Sequence, residues 1–290
     1  MTQRVSLIGL GSMGAAMATK LLEQGFSVDI WNRSPKNMDE LAAKGARMVS
    51  LANALGNPVV ISMLSNDAAA LETFSSENLS KAEAEVVHVN MATLSPEASR
   101  ELAERHEAAG LGYVSAPVLG RPIAILNGRL LVVAAGKPEH IAAAIPVIEK
   151  VSARHWVLGE DHGAATLVKL GVNYNLIHAL QAIAESVALV EAGGVDANTF
   201  IEIITHTAFT GSAYAGYGPM IANKNFTPPG FTMDLGLKDV KLVEDAATNL
   251  GLHLPVAGVL RGLFEEALTK PELRELDWSA VSELTRKPRS

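Results

Sequence analysis

The sequence predicts an α/β protein in two parts: a doubly wound parallel sheet, then an all-α domain, with one long helix joining them. Three observations carry this. Short β-branched runs alternate with amphipathic stretches through the first half. A glycine-rich turn, Gly9-Leu10-Gly11-Ser12-Met13-Gly14, stands between the first run and the first helical stretch. Near residue 162 the pattern changes to helix alone.

The strand runs are RVSLIGL (4–10), SVDIW (27–31), PVVISML (58–64), EVVHVN (85–90) and LGYVSA (111–116). MGAAMATKLLEQG, KNMDELAAKG and SPEASRELAERHEAAG read as helices between them. Strands spaced by helices form a parallel sheet covered on both faces. LLVVAAG (130–136) and RHWVL (154–158) are expected to extend that sheet. The stretch 163–192 reads as one helix, which at ~1.5 Å per residue runs roughly 45 Å. After Gly193-Gly194 come further helices, expected to break at GYGP (216–219) and TPPG (227–230). The domains are therefore expected at 1–162 and 193–290, joined by the 163–192 helix.

Composition narrows the function classes. The chain has 290 residues, 48% hydrophobic and 19% charged, which suits a globular protein with large cores. Lys plus Arg number 24 against 31 Asp plus Glu, and the net charge of −7 argues against nucleic-acid or anionic-membrane surfaces. With no cysteine, disulfides, thiolate catalysis and cysteine-held zinc are excluded. Eight histidines lie scattered without ligand spacing, so no metal site is expected. No charge-free apolar run of about 18 residues and no basic leader is present. These features point to a cytoplasmic protein.

Gly9, Gly11 and Gly14 form G-x-G-x-x-G after a strand and at the opening of a helix, the context a Rossmann-type dinucleotide site requires. Gly9 permits the tight turn, Gly11 lets a pyrophosphate approach, and Gly14 lets helix and strand pack closely. Leu10, Ser12 and Met13 complete the turn, and the helix N-terminus offers N–H groups to the anion. The end of the second strand then distinguishes the cofactor. An acidic residue there suits NAD, whereas neutral and basic groups suit the 2′-phosphate of NADP. The chain has Trp31-Asn32-Arg33-Ser34, and Asp29 lies inside the strand, two residues before its tip. Arg33 offers a planar phosphate fork, Asn32 and Ser34 add hydrogen bonds, and NADP(H) is expected.

Lys169 and Asn173 stand four residues apart in an otherwise apolar helical stretch, so they share one helix face. Two readings are open: a lysine that snorkels to solvent beside a capping amide, or a proton donor with its support. Reduction of a carbonyl places negative charge on oxygen, which a positioned ammonium stabilises and protonates.

Five segments give the chain a family resemblance: GLGSMGAAMA (9–18), WNRS (31–34), SAPVLGRPIAILNGRL (115–130), GAATLVKLGVNYN (163–175) and FTMDLGLKDVKLVEDAA (231–247). In order and spacing they resemble the β-hydroxyacid dehydrogenases. That family includes 3-hydroxyisobutyrate dehydrogenases and glyoxylate/succinic semialdehyde reductases. The resemblance implies that Lys169 is the catalytic lysine, with Asn173 in support, and that Lys238 lies near the nicotinamide beside Asp239. It also implies cofactor contacts from Met63-Leu64-Ser65 and Thr93, an aromatic border at Phe231, and a homodimer formed around the long helix. The implied substrate is a small-molecule aldehyde, ketone or β-hydroxyacid.

One segment departs from the family pattern. The substrate loop D/E-A/G-P-V-S-G-G here reads Ser115-Ala116-Pro117-Val118-Leu119-Gly120-Arg121-Pro122. Leu119 cannot donate the serine's hydrogen bond, Arg121 can replace it with a charged fork, and Pro122 removes a backbone donor. A less polar carbonyl or an imine is therefore an alternative substrate. Related imine reductases carry aspartate or tyrosine where this chain keeps Lys169. Tyr214 and Tyr217 fall where pocket-lining residues are expected, against the competing reading of two core aromatics. A non-catalytic NADP-binding sensor is the second class of function, opposed by the joint presence of Lys169, Asn173, Lys238 and Asp239.

Overall fold

The computed structural model describes residues 3–35 and 37–286, and the chain divides into two compact units, 1–169 and 170–290. In the first unit the strands are β1 (Arg4–Ile8), β2 (Ser27–Trp31), β3 (Arg47–Met48), β4 (Val59–Ser62), β5 (Val87–Asn90), β6 (Gly112–Ser115), β7 (Val118–Leu119), β8 (Leu131–Ala134) and β9 (Arg154–Val157). Six of them form a parallel sheet in the order β3-β2-β1-β4-β5-β6. Strands β4, β5 and β6 are buried along their whole length, their polar members Ser62, His88, Asn90 and Ser115 included.

The strand order reverses between β1 and β4. In doubly wound sheets ligands bind at the carboxyl ends of the strands flanking such a reversal. The turn that begins at Gly9 follows β1 and the segment that begins at Met63 follows β4, so the fold brings these two together at that point.

The runs 130–136 and 154–158 do not extend this sheet, contrary to expectation. They supply β8 and β9 of a second sheet, β7-β8-β9, in which β7 and β8 are antiparallel. The cause is local. After β6 the chain folds back through β7 and a five-residue helix, Pro122–Leu126, so β8 returns antiparallel to β6. Just past its end, Ala135 bridges Ser115 of β6 in the antiparallel sense. A parallel extension needs a full crossover helix on the sheet face.

Several buried polar groups in the first unit are paired. Asp29 accepts a fork from Arg47 at 2.7 and 2.7 Å and a bond from Asn57 at 2.9 Å. His106 donates from Nδ1 to the Leu102 carbonyl at 2.6 Å, its Nε2 lies 3.0 Å from His88 Nδ1, and His88 Nε2 lies 2.7 Å from Ser62 Oγ.

In the helical unit, the helix His162–Ala192 continues past residue 170 and is followed by helices Ala197–Thr205, Ser212–Ala222, Met233–Asn249 and Ala257–Leu268. Ile177, Leu180, Ile183, Ile221, Val240 and Phe264 meet in its core. The motif at 216–219 was expected to break a helix, yet Ser212–Ala222 runs through it with Pro219 inside. Packing overrides propensity here. Tyr217 and Ile221 anchor that face in the core, and a Cβ on Gly218 would come within 2.9 Å of Ile201. The break at 227–230 holds, since that stretch separates Ser212–Ala222 from Met233–Asn249. Among the described residues no helix is long and apolar enough to cross a membrane.

Candidate active site

The glycine turn is shaped by two close approaches and one open face. Gly9 has φ +93°, and a Cβ there would lie 2.5 Å from the Met63 carbonyl oxygen. A Cβ on Gly14 would overlap the Gly9 carbonyl oxygen, so the helix can sit against the strand only with glycine there. Gly11 differs: nothing lies within 4 Å of where its Cβ would be. The protein itself does not need glycine at Gly11, which leaves room for a ligand at the start of helix Ser12–Glu23. That helix has no side-chain cap and no acid in its first turn, and such an end suits a phosphate.

Leu10 is fully buried beneath the turn, and its backbone is held from both sides. Its N–H donates to Asn32 Oδ1 at 3.1 Å, and its carbonyl accepts from Asn37 Nδ2 at 2.5 Å. Asn37 was not foreseen from sequence, where nothing marks a left-handed asparagine (φ 62°) as the clasp of a turn so distant in the chain. Asn32 also donates to the Ser34 carbonyl at 2.9 Å, so its amide ties the glycine turn to the end of β2. Arg33 is 80% exposed, 3.6 Å from Glu72. Asp29 is turned away into the sheet. Burial pushes its carboxyl up, but the bonds from Arg47 and Asn57 outweigh that and hold it below the usual range. No acid stands between Asp29 and Ser34.

Met63 and Leu64 are half-buried after β4, Ser65 is exposed, and Thr93 is half-buried after β5. In the loop after β6, Val118 is buried and pairs with Val132, while Leu119 packs with Trp156 against Val133, Ala135 and Ala165. Leu119 thus serves the packing of the second sheet. Gly120 adopts φ +147°, Arg121 is half-buried, and Pro122 opens the helix Pro122–Leu126, where a missing N–H costs nothing.

Lys169 is only 7% exposed, which argues against a snorkelling lysine. In the helical unit Asn173 Nδ2 donates to Asp239 Oδ2, and Lys238 Nζ lies 3.4 Å from Asp239 Oδ1. Asp239 is fully buried, so its charge is held by that amide and that ammonium. Tyr217 belongs to the helical core, 6.0 Å from the Trp278 ring, and Phe231 stacks edge-on against the same ring at 4.6 Å. Tyr214 is half-buried beside Phe209, with ring centroids 4.7 Å apart. Asp277, also unforeseen, accepts from the backbone of Gly230 and Phe231 and so holds the approach to Phe231.

Comparison with known proteins gives this geometry a lineage. A family model for the NAD binding domain of 6-phosphogluconate dehydrogenase matches residues 4–159. A second, for the NAD-binding region of NADP-dependent 3-hydroxyisobutyrate dehydrogenase, matches residues 163–285. The glyoxylate/succinic semialdehyde reductase 1 of Arabidopsis thaliana is 31% identical, with 96% of this chain and 97% of that protein covered. The chain belongs to the β-hydroxyacid dehydrogenase family. This β-hydroxyacid dehydrogenase is also 33% identical to the uncharacterized oxidoreductase YfjR of Bacillus subtilis (strain 168), over 96% of this chain and 98% of that one. The 3-hydroxyisobutyrate dehydrogenase of Mycobacterium tuberculosis, solved with L-serine, superposes with a TM-score of 0.88 at 26% identity, covering 99% and 100% of the two chains. As a family member the dehydrogenase is an oxidoreductase that uses a nicotinamide dinucleotide. The open face at Gly11 and the uncapped helix end fit such a cofactor.

Proposed function

We propose that the enzyme is an NADPH-dependent reductase of a small aldehyde or ketone of the glyoxylate or semialdehyde type, or runs the reverse oxidation of a β-hydroxyacid. Lys169 acts as its general acid and base. The observation that carries the reading is the burial of Lys169, one helical turn before an asparagine whose amide is fixed by Asp239. Burying a lysine is costly unless its charge is paired and hydrogen-bonded. NADPH, when bound, supplies the electrons and hydrogen that reduce the carbonyl carbon. The Lys169 ammonium stabilises the negative charge developing on the carbonyl oxygen and delivers a proton to it. In the reverse direction its amine takes that proton back.

The turn from Gly9 to Gly14 and the segments Met63–Ser65 and Thr93 hold the dinucleotide, and Lys238 serves its nicotinamide end. Preference for NADPH is supported by the exposed Arg33 guanidinium and by the commitment of Asp29 to Arg47. Arg121 takes the place of the missing serine as anchor for a substrate carboxylate, beside Val118, Leu119 and Gly120. Tyr214 and Phe231 are the further candidates for substrate contact, while Tyr217, committed to the helical core, supports them. The exposed Leu189, Val195, Ile203 and Phe209 support a homodimer. Reduction of cyclic imines is a second reading, favoured by the absence of a hydroxyl donor at position 119.

Lys169→Ala tests the central assignment. It should lower turnover by about 10²-fold while NADPH still binds, and turnover at the wild-type rate would sink the assignment. NADPH oxidation with glyoxylate, succinic semialdehyde, uncharged aldehydes and cyclic imines then ranks the substrates. Tight NADPH binding with activity on none of them would count against the reductase reading.

A further inference from the structure

The long helix carries a polar stripe at His162, Thr166, Lys169 and Asn173, spacings of four, three and four that keep one helix face. Only its last two members were foreseen as functional. The first two are gripped from the first unit. His162 Nε2 donates to the Tyr113 carbonyl at 3.2 Å. Thr166 Oγ1 lies 3.1 Å from Ser99 Oγ, and Ser115 Oγ closes a triangle with them at 3.4 and 3.5 Å. All three hydroxyl-bearing residues are buried to within 1%.

The neighbour of Ser99 in the helix Pro96–Ala108 grips the turn below. Arg100 forks onto Asp161 at 2.9 and 2.9 Å, and Asp161 Oδ1 accepts from the Gly163 N–H at 3.0 Å. Arg100 lies so close over the helix that a Cβ on Gly163 would come within 2.5 Å of its Nη2. Successive residues Ser99 and Arg100 therefore hold the first two turns of the long helix.

Apolar side chains would fill the Thr166 pocket as well and would avoid burying hydroxyls. What apolar packing does not supply is a directional bond that fixes a helix against sliding and turning. We infer that Thr166, held by Ser99, is a positioning residue that sets the height and rotation of Lys169. The inference rests on the proposed role of Lys169. Thr166 and Lys169 are adjacent on the helix surface, about 4.5 Å apart along its axis, so a slip at the first displaces the second. Ser115 adds a link. It ends β6, three residues before Val118, so the loop 118–121 and the lysine are referenced to one hydroxyl cluster. Misplacing a reacting group by about 1 Å costs up to 10²-fold in rate.

The test uses the full chain and four variants, Thr166→Val, Thr166→Ser, Ser99→Ala and the pair Thr166→Val with Ser99→Ala, alongside Lys169→Ala. Valine keeps the shape and removes the hydroxyl. Thr166→Val and Ser99→Ala should each lower kcat by about tenfold, with KM for NADPH unchanged. The thermal midpoint should fall by no more than the loss of one buried hydrogen bond accounts for. Thr166→Ser should restore kcat, and the pair should be no worse than the poorer single variant, because one bond is lost once. The seat is overturned by wild-type kcat in Thr166→Val, by a loss in Thr166→Ser equal to that in Thr166→Val, or by losses that multiply. Should Thr166→Val fail to fold, Ser99→Ala decides alone, and unchanged kcat overturns the seat. Wild-type turnover in Lys169→Ala takes down both readings, whereas an inactive Lys169→Ala beside an active Thr166→Val takes down the seat alone.

Discussion

Two glycines in one turn have opposite reasons to be there, and substitution separates them. At Gly14 the nearest obstacle is the Gly9 carbonyl oxygen, a backbone atom that cannot move aside, whereas at Gly11 no protein atom is near. Gly14→Ala should lower the thermal midpoint and leave little dinucleotide binding. Gly11→Ala should keep the wild-type midpoint and weaken binding by about tenfold or more, since the added methyl intrudes where the pyrophosphate belongs. Equal midpoints for the two variants would contradict this. Arg33 offers a cleaner contrast. Its exposed pairing with Glu72 contributes little to stability, so Arg33→Ala should fold normally. Charge-assisted hydrogen bonds are worth ~1.5–3 kcal/mol, so its NADPH affinity should fall by about 10-fold or more while NADH affinity holds. Equal effects on both cofactors would remove the 2′-phosphate argument. The glycines and Arg33 were visible in the sequence because local pattern announces them. Asn37 was not, because its partner Leu10 is brought near only by the sheet.

Among the elements, the parallel strands and the long helix were legible because each is long, periodic and bounded by turn residues. The second sheet was misread because a β-branched run states that it is a strand without stating its neighbour. The helix through Pro219 was missed for the reverse reason: Gly216, Gly218 and Pro219 argue locally for a break, and contacts with Ile201 and the core decide otherwise. The polar turn at Asp277 is another element that only packing reveals. Its carboxylate accepts from Gly230 N, Phe231 N, Ser279 N and Ser279 Oγ at 2.9, 3.1, 3.1 and 2.7 Å. Asp277→Ala should leave these donors buried without an acceptor, at ~1–3 kcal/mol for each that water cannot reach. Denaturant titration should show a loss of about 3 kcal/mol or more, and Asp277→Asn, which keeps one acceptor, should lose less. A loss no larger for alanine than for asparagine would mean that the carboxylate is not the hub.

Across the whole molecule, the histidine pair inside the first unit contributes to the response to acid. Burial holds His106 down to about 4, against the pull of its bond to the Leu102 carbonyl, and burial with the neighbouring His106 holds His88 well below its ordinary value. In the unfolded chain both titrate near 6.5. Above that pH both are neutral in either state and add no pH dependence. Between about 6.5 and 4 the unfolded chain binds protons that the folded chain refuses, so stability falls as pH falls through that window. The thermal midpoint should drop between about pH 7 and pH 5, and His106→Gln should drop less. Equal drops would place the acid sensitivity elsewhere. The long helix also bears on how relatives could be recombined. The two family models abut at residues 159 and 163, which invites a crossover in that loop. The first compact unit nonetheless extends to residue 169 and includes Thr166 seated on Ser99. A chimera joined at the loop would take its helix from one parent and its seat from the other. A join just after Lys169 would inherit both from the same ancestor, and a swapped library built there should retain more active clones.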